Sequence, residues 1–178
     1  MTTTTTRMDD PDRAPRVVVL GVGNVLMSDE GVGVHCVSAL EAGYSFPPSV
    51  RCVDGGTSTQ VLLDDLEDLD YLIIIDAVSA GARPGSFVRL EGDEVPHAFT
   101  TKLSPHQIGI ADLLATLSFI GRAPRRVVLL GVEPERLAFD LELSPVVAGG
   151  LPELCAQVVA ELERLGLAPT ARAGQAGA

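Results

Sequence analysis

The sequence predicts an α/β fold, a three-layer sandwich in which a twisted, mostly parallel sheet of about five strands is flanked by helices. Three observations carry that prediction. Short runs rich in β-branched residues alternate with longer segments whose apolar residues recur at helical spacing. The strand-like runs are apolar throughout rather than alternating, as strands covered on both faces are. Polar and glycine-rich turns follow these runs directly, where open α/β sheets place their ligands.

Each element follows from its residues. Arg16–Val22 (RVVVLGV) is the first strand. Ser28-Asp29-Glu30 offers N-cap chemistry to a helix whose Val32, Cys36, Val37 and Leu40 share a face. Val50–Val53 is a second strand ending at Asp54-Gly55-Gly56, and a helix is expected over Ser58–Leu66. Tyr71–Ala77 (YLIIIDA) is the most apolar strand, and Ser86–Leu90, after the turn Arg83-Pro84-Gly85, reads as an edge strand. Pro96–Leu103 reads as an irregular loop. Ser104-Pro105-His106-Gln107 then starts a helix, with serine as N-cap, proline at the first position and glutamine closing a capping box. Ile110, Leu113, Leu114, Leu117 and Ile120 form its apolar face. Arg126–Gly131 is the last buried strand. Ser144-Pro145 opens a final helix with Val147, Leu151, Leu154, Val158, Leu162 and Leu165 along one side.

The 178 residues suit one domain, expected over 16–165, with a disordered arm over 1–15 and a disordered tail over 166–178. Acidic residues outnumber basic ones by 24 to 13, which leaves a net charge of -11 and no Lys/Arg cluster. That balance excludes a nucleic-acid partner and disfavours an anionic membrane surface. No apolar run reaches the ~18 residues of a membrane span. Cys36, Cys52 and Cys155 are odd in number and lie far apart in sequence, the pattern of reduced, buried thiols in a cytoplasmic protein. A monomer is expected.

Function is sought at the strand ends. Gly21-Val22-Gly23 is a G-x-G turn and Asp54 ends the second strand, which together raise a nucleotide site. Leu26 stands where that fingerprint has its third glycine, at a cost to close helix–strand packing, and Asp29 and Glu30 would repel a pyrophosphate. The same carboxylates suit a cation. Glu30 begins a helix, Asp76 ends a strand that should be central, and His106 lies in a first helical turn, where the helix dipole favours neutral imidazole. Two carboxylates and one imidazole suit nickel or zinc and leave positions open. Asp54-Gly55-Gly56-Thr57 is either a tight turn or a backbone surface for an extended peptide. HExxH, G-x-S-x-G and P-loop motifs are absent.

Six blocks carry a resemblance: Gly21-Val22-Gly23-Asn24 with Asp29-Glu30 and Gly33; Asp54-Gly55-Gly56-Thr57; Ile75-Asp76-Ala77; Leu103-Ser104-Pro105-His106-Gln107; Gly131-Val132-Glu133-Pro134; and Leu143-Ser144-Pro145. Taken in order, they resemble the endopeptidases that mature the large subunit of nickel-iron hydrogenases. The resemblance implies removal of a short C-terminal extension from the large-subunit precursor once nickel is inserted, after a basic residue beyond the last nickel-binding cysteine. It implies that Glu30, Asp76 and His106 contact the metal and act in catalysis. Asn24, Asp54, Gly55, Gly56 and Thr57 would contact substrate. The nickel would arrive with the substrate, while zinc or cadmium could fill the site in vitro. The loop Thr57-Ser58-Thr59-Gln60 departs from the family, which more often has a further glycine there, as does Pro105 before the histidine. Two readings of other classes stay open: a nucleotide-binding Rossmann-like module and a non-catalytic hydrogenase assembly chaperone.

Overall fold

A computed structural model describes residues 13–57, 62–98 and 105–172, without the side chains of 97, 98, 105, 106 and 108. The first strand, β1 (Val17–Val22), leads through a 3-10 turn (Ser28–Gly31) into α1 (Val32–Gly43). After β2 (Tyr44–Ser45) come β3 (Val50–Gly56), α2 (Leu63–Leu66), β4 (Tyr71–Ala77) and β5 (Phe87–Glu91). The chain continues through α3 (Glu94–Ala98), α4 (Pro105–Phe119), β6 (Arg126–Val132), α5 (Pro145–Arg164) and β7 (Thr170–Ala171).

Five strands form one sheet in the order β3-β1-β4-β6-β5, parallel except for β5, which runs antiparallel along β6 at the edge. Successive strand residues point to opposite faces, so each strand supplies two cores. Val17, Val19, Ile73, Ile75, Val128 and Leu130 pack against α1 and α5. Val18, Leu20, Leu72, Ile74 and Leu129 pack against Leu66, Ile110, Leu113 and Leu117 of the opposite layer. This is the expected three-layer sandwich. From β1 the chain winds outward to β3, and later outward the other way through β4 and β6. The reversal opens a crevice between the C-terminal ends of β1 and β4, where such sheets bind ligands.

Several elements differ from the sequence reading, each for a local reason. β3 runs through Asp54-Gly55 to Gly56, because β1 continues to pair with it. Of the helix expected over Ser58–Leu66, α2 covers Leu63–Leu66, and residues 58–61 lie outside the described residues. A short helix, α3, occupies the start of the expected loop and buries Val95. Residues 99–104, including Ser104, lie outside the description. Gly121, at φ +73°, ends the α4 region, so Ile120 is 47% exposed rather than on the apolar face. Inside the stretch expected as a tail, β7 pairs with β2, and Arg172 donates its backbone N–H to Gly43 O and its Nε to Tyr44 O. The ordered chain therefore extends past Leu165.

Helix α5 is long and apolar enough to span a membrane by length and composition. Here it is a core helix: Val147, Leu154, Val158 and Leu162 are buried on the sheet, and its buried Glu161 is bonded to Arg89 and Arg164. Cys36 and Cys155 are buried with their Sγ atoms 3.5 Å apart, whereas Cys52, expected to be buried, is half-buried on the edge strand β3.

Candidate functional site

Three glycines set the geometry of the crevice. A Cβ on Gly23, which sits at φ +131°, would lie 1.8 Å from Glu30 O. One on Gly33 would lie 2.2 Å from Ile75 O and 2.4 Å from Val22 O, and one on Gly21 would lie 2.2 Å from Gly33 O. No side chain fits at these positions. The start of α1 is therefore pressed onto the ends of β1 and β4. The close helix–strand packing that Leu26 was expected to cost is present after all, with Gly33 rather than a residue at position 26 providing it.

That packing sets the 3-10 turn bearing Glu30 against β4. Glu30 is half-buried there, and lies before α1 rather than in its first turn. Ser28 does not cap α1, whose N-cap is Gly31. Ser28 is buried at φ +51° and donates its hydroxyl to Glu142 O instead. Asp29 is fully buried and faces away from any ligand role. Its Oδ2 accepts the N–H groups of Glu135 and Arg136 at 2.9 Å each, and its Oδ1 accepts that of Ser144 at 2.7 Å. It clasps the 133–144 segment to the loop after β1.

Asp76, the penultimate residue of β4, is fully buried. Its Oδ1 accepts the Ala77 N–H at 2.8 Å and its Oδ2 accepts Gln107 Nε2 at 2.9 Å. Gln107 also donates to Ala77 O at 3.0 Å. The capping box expected between Ser104 and Gln107 lies outside the described residues; within them, Gln107 Nε2 orients Asp76. A bond to each carboxylate oxygen fixes the plane of the group. The same bonds dock the first turn of α4 over the end of β4. His106, the residue before Gln107, has its backbone in that turn, while its side chain lies outside the described residues. The fold thus places Glu30, Asp76 and the backbone of His106 at one end of the sheet.

The other candidate residues lie across the crevice. Asn24 is half-buried and accepts the Leu26 N–H through Oδ1 at 3.0 Å. Asp54 is exposed and accepts the Gly56 N–H at 2.9 Å, so it organises its own turn. Gly55 is buried beside Leu20 and Leu62, Gly56 turns at φ +47° and its carbonyl accepts the Gly23 N–H at 3.0 Å, and Thr57 is exposed. This loop is thereby tied to the glycine turn after β1.

Sequence reasoning missed Gln107 as a partner of Asp76 and Asp29 as a clasp. It also gave no role to Glu133, which is buried after β6 and accepts the N–H groups of Ala80 and Ala82 at 2.7 and 3.1 Å, shaping the loop after β4. The available signal was an acid one residue past a buried strand. The thiols do not suit nucleophilic attack. Cys36 and Cys155 are buried between α1 and α5, and burial, with Glu41 nearby, pushes the Cys52 thiol up to about 12.

A mostly parallel sheet with acidic groups gathered at the point where its strand order reverses defines an α/β protein built to bind its ligand beyond the carboxyl ends of β1 and β4. Similarity to known proteins narrows that class. The chain belongs to the hydrogenase maturation proteases: the HycI family of that description matches residues 34–161. The hydrogenase 2 maturation protease of Escherichia coli K12 is 45% identical over 153 residues, covering 85% of this chain and 93% of that protein. The hydrogenase expression/formation protein HupD of Rhodobacter capsulatus is 42% identical, over 87% of this chain and 75% of that one. Among solved structures, the hydrogenase maturating endopeptidase HybD from E. coli superimposes with a TM-score of 0.85 at 43% identity, over 88% of this chain and 98% of that one. By this membership the protein is an endopeptidase, a hydrolase of peptide bonds.

Proposed function

We propose that the protein removes the C-terminal extension from a nickel-iron hydrogenase large-subunit precursor after nickel insertion, reading the substrate's nickel through Glu30, Asp76 and His106. The observation that carries this reading is the convergence at the switch point. The Glu30 turn is pressed onto β4, Asp76 is buried and oriented by Gln107, and α4 is docked so that His106 falls in the turn above them. A fully buried carboxylate needs hydrogen bonds or a cation to offset its desolvation. Two carboxylates and an imidazole form a donor set that suits nickel and that zinc or cadmium would also fill.

In this reading the nickel belongs to the substrate and supplies Lewis-acid polarisation at the scissile carbonyl or a water. Glu30 and Asp76 hold the metal and are the groups at hand to take a proton from the attacking water. Asn24 and the Asp54-Gly55-Gly56-Thr57 loop, which ends the edge strand β3, receive the extended peptide around the bond. Three free cysteines support a reducing, cytoplasmic setting. The test is to incubate nickel-loaded and nickel-free precursor with the protein and measure both masses. Shortening of the loaded form alone is expected. Binding without shortening would make the protein an assembly chaperone instead.

A further inference from the structure

A row of large apolar side chains stands in solvent beside the crevice. Leu137, Phe139 and Leu141 are 52%, 82% and 64% exposed, at every second position of the irregular segment between β6 and α5. Val25 and Leu26, in the loop after β1, are exposed next to them. Asp140 donates its N–H to Leu26 O and forms an isolated parallel bridge with Met27, so Leu26 and Phe139 stand one residue before the bridge on either segment. Together these five side chains expose on the order of 500 Å² of apolar surface, a size at which patches on soluble proteins are often functional.

The segment is not a slack loop. Besides the three bonds to Asp29, Ser28 N donates to Asp140 O at 2.8 Å and Asp29 N to Arg136 O at 3.3 Å. Arg136 pairs with Asp140 at 2.8 Å, and Asp140 Oδ1 accepts the Glu142 N–H. Backbone groups of the segment bond inward to Ser28 and Asp29, and the Arg136–Asp140 pair braces it from outside. Its exposed apolar side chains thus stand on a fastened backbone, the arrangement of a preformed contact surface. Its attachment point is the residue preceding Glu30, so the ridge is continuous with the proposed site.

We propose that this ridge is a docking surface for the folded body of the substrate, an apolar patch on the hydrogenase large-subunit precursor beside its nickel. The inference rests on the proposed function and adds a specificity surface to it. The area decides between occupants. Pairing such a patch with its complement buries roughly 1,000 Å² in total, in the range of transient encounters and below the ~1,200–2,000 Å² of a stable interface. That suits a protease that must release its product, and does not suit a lasting dimer.

The test compares wild type with Leu137→Ser/Phe139→Ser/Leu141→Ser and with Phe139→Ala alone. Phe119→Ser serves as a control: this residue is 92% exposed, but lies on α4 near the Arg122–Asp68 pair at the opposite end of the sheet. Calorimetry measures affinity for nickel-loaded precursor, and mass spectrometry measures cleavage. The triple variant is expected to lose about tenfold or more in affinity and to raise KM equally, with kcat at saturation and Tm unchanged; Phe139→Ala should show a smaller loss in the same direction. Phe119→Ser is expected to match wild type. Unchanged affinity and KM in the triple variant would overturn the docking surface while wild-type cleavage left the proposed function standing. A wild type that bound the precursor without cutting it would defeat the proposed function, and the affinity comparison would still decide the ridge.

Discussion

The two ends of the sheet hold most of their acidic residues differently, with Asp140, paired to Arg136 at the C-terminal end, as an exception. At the N-terminal ends of the strands, carboxylates meet arginines: Asp70 meets Arg13 at 2.6 Å, Glu91 meets Arg126, Glu67 and Asp68 meet Arg122, and Asp65 meets Arg51. The buried Glu161 joins Arg89 and Arg164 and accepts Tyr71 Oη–H at 3.3 Å. At the C-terminal ends, Asp29 and Glu133 are held by backbone N–H groups, and Asp76 by a backbone N–H and the Gln107 amide. An arginine cancels the charge it positions; an amide positions a carboxylate and leaves the charge in place. The arginine pairs hold the fold together at one end, and the amide-bonded carboxylates lie at the end where the metal-reading site is proposed.

Substitutions at the crevice should change cleavage, and those at the base should change stability alone. The largest effect is expected from Gly33→Ala, whose methyl would meet two backbone oxygens. It should destabilise by about 3 kcal/mol or more in urea titration and abolish cleavage by displacing the Glu30 turn. Asp29→Ala comes next. It leaves three N–H donors without their carboxylate, costs about 2–4 kcal/mol, and weakens cleavage through the freed 133–144 segment. A second variant, Asp29→Asn, keeps an acceptor for one side of the clasp only, so stability and cleavage should recover in part and together. Stability recovered with cleavage still lost would give Asp29 a role in the site itself.

Gln107→Ala should leave Tm within a few degrees and lower kcat roughly 10–100-fold, as loss of a partner that orients a metal ligand does. Full activity would show that Asp76 needs no such support. The smallest effect belongs to the base. Glu161→Gln should cost about 1 kcal/mol, because Arg89 and Arg164 are substantially exposed and screened, with no change in cleavage. Burial pushes the Glu161 carboxyl up, but the Arg89 hydrogen bond and the charges of Arg89 and Arg164 outweigh it and hold the group below the usual range. The stabilisation is thus complete above the unfolded value of about 4.3 and is lost as pH falls through the lower folded value. Unfolding curves of wild type and variant should differ near neutrality and converge in acid.

The layers and the strand-end location were legible in the sequence because both follow from local periodicity. Runs such as YLIIIDA state their burial directly, and Asp76 announces itself as a carboxylate at the end of one. What escaped depends on contacts distant in sequence. Asp29 reaches residues more than a hundred positions away, and Gln107 sits in a pattern that equally reads as a capping box. Gly33 could have been recognised as the close-packing glycine had the turn been allowed to be longer than the dinucleotide fingerprint permits. The β2–β7 pair was illegible because two residues carry no periodicity.

The central claim is that Asp76 is a charged group of a metal-reading site, beyond its place in the fold. Asp76→Asn removes the charge and keeps one of the two acceptor oxygens, so one of the N–H donors, Ala77 N or Gln107 Nε2, loses its partner. The most direct measurement is the intact mass of nickel-loaded precursor after incubation with this variant, its folding verified by its thermal transition. The account predicts that the precursor keeps its full mass while wild type shortens it. Complete shortening by Asp76→Asn at the wild-type rate would contradict the account.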